Sequence, residues 1–323
     1  MEDCKYKLSI IVPVYNVEQY IKECLDSILA SDLPKEQYEV VIVNDGSKDN
    51  SGCIAQEYVT QHANWKYIEQ ENQGLSVARN NGIQHSEGEY VWCVDSDDVI
   101  YSQIMPAYKL LNEEKKVDVL ECRLKVFHDE TDFAIYQLNG RIVYASGQDF
   151  IINGFWPGSV CTKFIRKNFL YEHDLWFVPG LIHQDTELTY RLYAYSQSVC
   201  QYNYYIYHYR WGGESLTRTT NPQKIFNDKS SNIYIYKSFE DLADKFDKSN
   251  HTMAEIIRMN ARRILLTTVY TLFSKKKEYK QIGIYDKLYK EMKTQGVYPL
   301  KGNFYSLKRN IIARLLNISF LLR

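Results

Sequence analysis

Short apolar runs alternate with segments of helical periodicity along the first hundred residues. Four runs rich in β-branched and aromatic residues predict strands: LSIIVPV (8–14), EVVIV (39–43), WKYIEQ (65–70) and EYVWCV (89–94). Between the first two, one apolar helical face is formed by Tyr20, Ile21, Cys24, Leu25, Ile28 and Leu29. Asn16 is predicted to cap this helix. Because strands separated by helices favour right-handed crossovers, the pattern predicts an α/β fold with a mostly parallel central sheet.

The pattern changes to helices alone from about residue 218. We therefore predict a first domain over residues 1–217, whose strand–helix alternation occupies about 1–100 and whose second half spans about 101–217. A C-terminal helical region is predicted over 218–323. Its role is left open, because nothing in this region specifies chemistry.

The last predicted helix, in FYSLKRNIIARLLNISFLLR (304–323), combines basic and apolar residues. Lys308, Arg309 and Arg314 stand beside an apolar set, which comprises Ile311, Ile312, Leu315, Leu316 and Ile318. Such a helix can lie on a membrane surface, or it can dock its apolar face against the rest of the protein. Docking is the favoured interpretation of the two.

Composition and charge limit the classes of protein that fit. The 323 residues are 45% hydrophobic and 24% charged, as in folded domains, and Lys+Arg 39 against Asp+Glu 40 gives a net charge of -1. No overall positive field recruits nucleic acid, so any anion must be bound locally. Seven scattered cysteines are typical of reduced thiols in the cytoplasm. Because no signal peptide or apolar run of ~20 residues is present, an integral membrane protein is not expected.

Polar clusters follow three of the predicted strands. PVYN ends the first, NDGS follows the second and DSDD follows the fourth. Ligands of open parallel sheets bind at the carboxyl ends of the strands, where these clusters would converge. Each cluster alone also fits an ordinary polar turn. Because the glycine-rich phosphate loops of dinucleotide and P-loop enzymes are absent from the sequence, a bound diphosphate would need another source of positive charge.

The DSDD segment crowds Asp95, Asp97 and Asp98 together. Like charges at this spacing repel and raise one another's pKa, so the segment is either a metal site or an acidic turn. Strand alternation would put Asp95 and Asp97 on one side, with Ser96 opposite. Mg²⁺ or Mn²⁺ commonly takes one or two carboxylates and completes its shell with phosphate oxygens and water.

As a set, these segments resemble the inverting glycosyltransferases of family 2, which have the GT-A fold, and in particular the soluble bacterial polysaccharide type. The resemblance rests on SIIVPVYNVEQYIKECLDSIL, EVVIVNDGSKDNS, NQGLSVARNNGI and GEYVWCVDSDD, in the family's order and spacing. It covers residues 8 to about 100, and it implies that this half binds a nucleotide-sugar and that the second half, about 101–217, binds the acceptor. The nucleotide-binding positions that it implies are Pro13, Val14, Tyr15, Asn16, Asp45, Asn72, Gly74, Arg79, Asp95 and Ser96.

The resemblance also implies roles for individual residues. Asp45 would accept a hydrogen bond from the base, and Arg79 would lie near the base or the diphosphate. In the DxD motif Asp97 would bind the metal, Mn²⁺ or Mg²⁺, and Asp95 would bond the ribose or reach the metal through water. Asp98 is interpreted as a structural residue of this segment.

The expected catalytic base lies in FVPGLIHQDTELTYRLY (177–193). The family usually shows Glu-Asp here, whereas this chain has Gln184 followed by Asp185. The resemblance assigns the base to Asp185 and leaves the effect of Gln184 open. His183 is interpreted as a hydrogen-bonding loop residue, and Glu187 as an acid of the first helical turn.

Four further positions lie outside these motifs. Lys163 and Arg166, in GSVCTKFIRKNFL, are taken as surface cations. Arg210 and the following tryptophan are similar to the Q-x-x-R-W signature of processive synthases, but Tyr207 stands where glutamine is required. Arg210 or Ser215 would instead approach the diphosphate, as in soluble relatives.

The resemblance therefore implies a metal-dependent, inverting hexosyltransferase that moves a sugar, expected from a UDP donor, to a hydroxyl of a growing glycan or lipid-linked saccharide. The expected location is the cytoplasm, with peripheral contact at the inner face of the cell membrane through the C-terminal helix as the alternative. Two other functions stay open. They are a nucleotide-sugar or glycan-binding protein that has lost catalysis, and a sugar-nucleotidyltransferase.

Overall fold

The computed structural model describes residues 4–113, 116–127, 139–211 and 220–321. These residues form two compact units. The first contains residues 4–150, 155–180 and 184–211, and the second contains 151–154, 181–183 and 220–321. The predicted domain boundary after residue 217 lies outside the described residues and stays a prediction.

The first half of the first unit is a parallel sheet flanked by helices. Its elements are β1 (Tyr6–Val14), α1 (Ile21–Leu29), β2 (Tyr38–Asn44), α2 (Ser51–Gln61), β3 (Trp65–Glu69), α3 (Leu75–His85) and β4 (Gly88–Cys93). β1 lies between β2 and β4, β3 lies outside β2, and all three pairings are parallel. The four strands predicted from sequence are therefore confirmed, and β1 and β2 are almost completely buried, as their continuous apolar runs require.

The second half of this unit extends the same sheet. It contains β5 (Val99–Ile100), α4 (Met105–Leu110), β6 (Val119–Phe127), β7 (Ile142–Ala145), β8 (Lys163–Arg166), α6 (Lys167–Glu172), α7 (Gln184–Tyr195) and β9 (Val199–Arg210). Helix α5 (Gly147–Ile152) begins in this unit, and its last two residues are assigned to the second unit. Within the described residues the strand order is β3-β2-β1-β4-β8-β6-β9-β5, with β7 paired to β9. Because β8 runs antiparallel to both β4 and β6, this half of the sheet is mixed. The carboxyl ends of β1, β2 and β4 lie at one edge.

The predicted helix cap at Asn16 is wrong. Helix α1 begins after Tyr20, and no side chain caps it. Asn16 instead has a left-handed backbone conformation, with φ 50°, which asparagine tolerates better than most residues. Its side-chain oxygen accepts a hydrogen bond of 2.7 Å from the Lys48 backbone N–H. Asn16 therefore joins the loop after β1 to the loop after β2.

The second unit is helical, as predicted. Its helices are α8 (Pro222–Phe246), α9 (His251–Ser274), α10 (Lys276–Gln281), α11 (Tyr285–Thr294) and α12 (Leu307–Leu321). An apolar core that includes Val269, Tyr285, Leu288 and Met292 holds them together. None of the helices in the described part of the chain has the length and apolar character needed to cross a membrane.

Candidate active site

The loop after β2 is organised around the buried carboxylate of Asp45. One of its oxygens accepts hydrogen bonds of 2.8 Å from the Gln70 side chain and the Gln73 N–H, and the other accepts one of 2.8 Å from the Gly74 N–H. The Asn72 side chain donates to the Asp45 carbonyl oxygen at 3.1 Å. Asp45, Asn72 and Gly74, predicted from separate segments, therefore share one loop cluster in which Asp45 fixes the chain that leads into α3.

The end of β1 adjoins this cluster. The Asp45 N–H donates to the Val14 carbonyl oxygen at 2.9 Å, so Pro13 and Val14 are level with the end of β2. The next residue, Tyr15, is exposed. The Asn16 N–H donates to the Ser47 hydroxyl at 3.2 Å. The predicted PVYN and NDGS segments thus form a continuous edge with one exposed aromatic ring.

The DSDD segment is a turn and not an extended clamp. β4 ends at Cys93, and the Asp98 N–H donates to the Asp95 carbonyl oxygen at 3.1 Å, which closes the turn. Ser96 is buried, whereas the side chain of Asp97 is exposed. The prediction of an extended segment is therefore wrong, because hydrogen bonds within the turn and with β9 hold the segment bent. The exposure of Ser96 still differs from that of Asp97, as the predicted alternation requires.

Tyr207 makes two of the hydrogen bonds that fix this turn. Its hydroxyl accepts a hydrogen bond from the Asp95 N–H at 3.1 Å and donates one to the Asp98 carboxylate at 2.7 Å. The Arg210 N–H donates to the other Asp98 oxygen at 2.7 Å, and the Arg210 side chain donates to the Asp97 carbonyl oxygen at 2.9 Å. The residue that departs from the processive signature thus fixes the acidic turn to β9.

The turn carries an unrelieved excess of negative charge. Although Asp97 is exposed, neighbouring protein atoms displace part of the water around its carboxylate, and this desolvation, followed by repulsion from Asp95, raises the pKa of Asp97 to about 6. Burial, followed by repulsion from Asp97 and Asp95, raises the pKa of Asp98 to about 8 in spite of its hydrogen bonds. Carboxylates in this state gain stability from any cation placed among them.

Arg79 joins the turn to the predicted base. Its side chain is 1% exposed, and its two terminal nitrogens lie 2.6 Å from Asp95 Oδ1 and 2.6 Å from Asp185 Oδ1. Burial opposes its charge, but Asp95 and then Asp185 outweigh burial and hold the pKa of Arg79 above its ordinary value. Helix α3 therefore supplies one guanidinium that bridges the end of β4 and the start of α7.

The second oxygen of Asp185 faces a different group of donors. Asp185 Oδ2 lies 3.2 Å from the Ser159 hydroxyl and 3.2 Å from the Val160 N–H, both of which donate to it. Residues Val160–Thr162 form one 3-10 turn just before β8. The carboxylate of Asp185 is thus oriented on both sides, by α3 and by this turn.

A buried ion pair anchors the 3-10 turn. Lys163, the first residue of β8, is 0% exposed, and its Nζ lies 2.7 Å from Glu121 Oε2 and 2.7 Å from the Ser159 carbonyl oxygen. The Thr162 hydroxyl donates to Glu121 Oε1 at 3.0 Å, and the Tyr193 hydroxyl donates to Oε2 at 3.1 Å. Interpreting Lys163 as a surface cation was wrong. Arg166 is partly exposed and pairs with Asp118 at 2.7 Å.

Gln184 is buried beside Asp185 and has a defined partner. Its side-chain oxygen accepts a hydrogen bond from the Ser76 hydroxyl, in the first turn of α3. A glutamate here would add a third carboxylate near Asp95 and Asp185, which share the single guanidinium of Arg79. The neutral amide of Gln184 joins α7 to α3 through its hydrogen bond with Ser76 and adds no negative charge.

The neighbours of the predicted base have structural partners. His183, which belongs to the second unit, lies with its Nε2 2.6 Å from Asp228 Oδ1, so its interpretation as a hydrogen-bonding loop residue is confirmed. Glu187 is buried in the first turn of α7 and pairs with Arg191 at 2.8 Å. Ser215 lies outside the described residues.

The residues present fit a metal that needs few protein ligands. No cluster of three or more His, Cys, Asp or Glu side chains suited to a metal ion occurs in the described ranges of the chain. Asp97 offers an exposed carboxylate, while Asp95 Oδ1 already bonds Arg79. A hard cation that takes one or two carboxylates and completes its shell with phosphate and water suits this arrangement.

These features define an α/β domain in which polar loops and carboxylates meet at the carboxyl ends of parallel strands, the edge where such sheets usually bind their ligands. The "Glycosyl transferase family 2" domain matches residues 9–175, which is more than half of the chain. The chain belongs to glycosyl transferase family 2. The family and GT-A fold class predicted from sequence are confirmed, and the predicted enzyme class, glycosyltransferase, is that of the family.

Individual relatives agree with this assignment. Glycosyltransferase GlyA of Streptococcus pneumoniae is 34% identical over 222 residues, which are 66% of this chain and 32% of GlyA. The uncharacterized glycosyltransferase EpsJ of Bacillus subtilis is 43% identical over 115 residues, which are 36% of this chain and 33% of EpsJ. The matched region thus spans about a third of the length of either relative.

A solved structure shows the same fold. Residues 1-349 of Staphylococcus aureus TarS, in complex with UDP-GlcNAc, match with a TM-score of 0.57 at 22% identity, over 90% of this chain and 93% of that one. TarS is named a poly(ribitol-phosphate) beta-N-acetylglucosaminyltransferase, and it is 31% identical over 192 residues, which are 56% of this chain and 31% of TarS.

Proposed function

We propose that this protein transfers a sugar, with inversion, from a UDP-sugar to a hydroxyl group of a saccharide or lipid-linked saccharide. The observation that carries the proposal is the Arg79 bridge. It holds the Asp185 carboxylate and the Asp95 carboxylate at 2.6 Å from one guanidinium, so the expected base stands next to the expected donor site. A UDP donor is favoured because the similar structure of TarS was solved with UDP-GlcNAc.

The nucleotide would lie along the edge formed by residues 13–16 and the loop held by Asp45. Tyr15 offers an exposed ring there for stacking. Asp45 already accepts three hydrogen bonds, and a carboxylate has about four acceptor positions, so one position is left for a base N–H. Asp45 would therefore both shape the loop and recognise the base.

Mn²⁺ or Mg²⁺ would be held by Asp97, with Asp95 as a partner through water. When bound, such a cation stabilises the negative charge that develops on the diphosphate as the sugar leaves. Asp98 would stay structural, because both of its oxygens already accept hydrogen bonds from β9. Arg79 would keep Asp95 oriented toward the ribose and the metal's water.

Asp185 would act as the general base. Inversion requires a base on the side of the sugar opposite the leaving group, to take the proton of the acceptor hydroxyl. Arg79, Ser159 and Val160 occupy three acceptor positions of Asp185, so one remains for the acceptor hydroxyl. The Asp185 carboxylate is thus oriented by three donors and keeps one acceptor position for the proton of the acceptor hydroxyl.

We propose that the enzyme works in the cytoplasm. All seven cysteines are free thiols, and five of them are buried, as is usual in a reducing compartment. Lipid-linked acceptors would bring such an enzyme to the inner face of the cell membrane, where peripheral contact would suffice.

The test is a measurement of UDP-sugar hydrolysis and transfer with Mn²⁺ present. Asp185→Asn is expected to lower kcat by at least about 100-fold, as expected for loss of a general base. Asp174→Asn is the matched control, since it removes an exposed carboxylate of the same unit at a left-handed position that asparagine tolerates. Activity of Asp185→Asn equal to that of the control, or activity unaffected by a chelator, would refute the mechanism.

The two other functions are separable in the same experiment. A binding protein without catalysis would show UDP-sugar binding by calorimetry and no turnover with any acceptor. Gln184 was the sequence feature in its favour, but the hydrogen bond to Ser76 gives Gln184 a role that needs no charge. A sugar-nucleotidyltransferase would form a UDP-sugar from UTP and a sugar phosphate instead.

A further inference from the structure

Helix α12 presents an apolar stripe to solvent. Four side chains form it, with exposed fractions of 79% for Leu307, 48% for Ile311, 59% for Leu315 and 49% for Ile318. On an α-helix these positions lie within about 80° of arc and extend over about 16 Å. The preference for docking of the helix's apolar residues is thus only half right, because Ala313 and Leu316 are buried while this α12 stripe is not.

The helix is fixed in this orientation within its unit. The Tyr298 hydroxyl donates to the Leu316 carbonyl oxygen at 2.6 Å, and the Asn317 side chain exchanges two hydrogen bonds of 2.8 Å with the backbone of Leu300. These bonds lie on the face that carries Ala313. Rolling the α12 stripe inward would break all three, so its exposure is a built feature of the unit.

Positive charge surrounds the α12 stripe. Lys308 and Arg314 are exposed and flank it on its two sides. From residue 292 to residue 323 the sequence contains six basic residues and no acidic residue, although the whole chain has a net charge of -1. The acid Glu255, which bonds Tyr305, is itself paired with Arg258 at 2.8 Å.

We propose that the α12 stripe and its flanking cations form a docking surface for an anionic phospholipid membrane. A basic amphipathic helix places its apolar residues at the acyl boundary and its cations among anionic headgroups. A second copy of the chain is a poorer occupant, because a two-fold contact would oppose Lys308 and Arg314 to cations of the same kind. This proposal does not rest on the proposed function, since it concerns the helical unit alone.

Vesicle flotation of the full chain tests the proposal. The protein is expected to float with vesicles of equal parts phosphatidylglycerol and phosphatidylcholine, and to float much less with phosphatidylcholine alone. Leu307→Ser with Ile311→Ser is expected to lower the partition coefficient by at least about 30-fold, since each of the two apolar side chains contributes roughly 1–2 kcal/mol. Both residues are exposed, so folding should be preserved.

Charge is tested separately. Lys308→Gln with Arg314→Gln is expected to lower binding to the anionic vesicles by about 25-fold, at about 1 kcal/mol per cation. The matched controls are Tyr270→Ser, an exposed ring on α9, and Lys245→Gln with Lys248→Gln near the end of α8. These controls are expected to float as the unaltered chain does. Added salt should weaken the additional binding to anionic vesicles and leave binding to phosphatidylcholine vesicles unchanged.

Two results would overturn the proposal. One is equal flotation of the unaltered chain and the Leu307→Ser/Ile311→Ser variant. The other is a concentration-dependent dimer in sedimentation that this variant abolishes while neither protein floats, which would assign the α12 stripe to self-association. Because flotation needs no donor or acceptor, loss of catalysis in another variant would leave this result unchanged.

Discussion

Replacing Lys163 by methionine tests whether the buried ion pair supports the catalytic turn. Lys163 is 0% exposed, and its ammonium contacts Glu121 and the Ser159 carbonyl oxygen at 2.7 Å each. Lys163→Met leaves the Glu121 carboxylate buried with only the hydroxyls of Thr162 and Tyr193 as partners. Removing one member of such a pair costs about 3–5 kcal/mol, so the free energy of unfolding should fall by that amount.

A double variant separates the loss of stability from the loss of positioning. Lys163→Met with Glu121→Gln removes both charges and keeps a side chain of the same shape for Thr162 and Tyr193. Its unfolding free energy is expected to return to within about 2 kcal/mol of the unaltered protein, because neutral replacements of buried pairs are well tolerated. In this double variant the Ser159 carbonyl still lacks the ammonium that donates to it in the unaltered protein. We therefore expect kcat to be lower than that of the unaltered protein by on the order of tenfold, with little change in KM.

The assays are urea unfolding and initial rates of donor turnover. Arg166→Gln is the matched control on the same strand, and since Arg166 is partly exposed it should cost only about 1 kcal/mol and leave kcat unchanged. A loss in Lys163→Met no larger than that of the control would refute the argument about the buried pair. A double variant with unaltered kcat would refute the positioning role while leaving the stability argument intact.

Three further variants probe charge in the first unit. Arg79→Lys should lower kcat by about 100-fold, because one ammonium cannot bridge Asp95 and Asp185 as the planar fork does, and a loss of less than about threefold would contradict this. Gln184→Glu adds a buried carboxylate beside Asp185, and we expect the acid limb of the pH–kcat/KM profile to move upward by about one pH unit. An unchanged acid limb would contradict the expected electrostatic effect of position 184 on the base. Burial, followed by repulsion from Lys125, lowers the pKa of His208 to about 4, so below about 6.5 the unfolded chain binds a proton that the folded protein does not bind until about pH 4. Stability should thus fall between these pH values, and His208→Gln should remove about 2–3 kcal/mol of that fall in urea unfolding, an expectation that equal pH dependence of both proteins would contradict.

The sequence predicted those parts of the fold that local pattern controls. Continuous apolar runs marked β1 and β2, and the helical face that includes Ile21 and Leu25 marked α1. Topology then explained why three separate polar loops share one edge. The bend of the DSDD segment was missed, because it depends on Tyr207 and Arg210, which lie more than a hundred residues away in the chain.

The supporting residues of the site were also missed, for a physical reason. A lysine such as Lys163 has the same appearance in a sequence whether it is solvated or paired, and its partner Glu121 lies on another strand. Ser159 acts through hydrogen bonds of its hydroxyl and carbonyl groups, which leave no periodic pattern in the sequence. One feature of the sequence could have indicated that Lys163 is paired. It directly precedes the apolar residues Phe164 and Ile165, and a lysine beside such residues is more often paired than solvated.

The three carboxylates of the acidic turn have three different surroundings. Asp95 has the guanidinium of Arg79, and Asp98 has the Tyr207 hydroxyl and the Arg210 N–H. Asp97 is exposed, and desolvation followed by repulsion from Asp95 raises its pKa to about 6. In the proposed mechanism a single divalent cation would lie beside Asp97. The turn that would hold this cation is joined through Arg79 to Asp185, so the donor and acceptor sides of the proposed reaction would share one guanidinium.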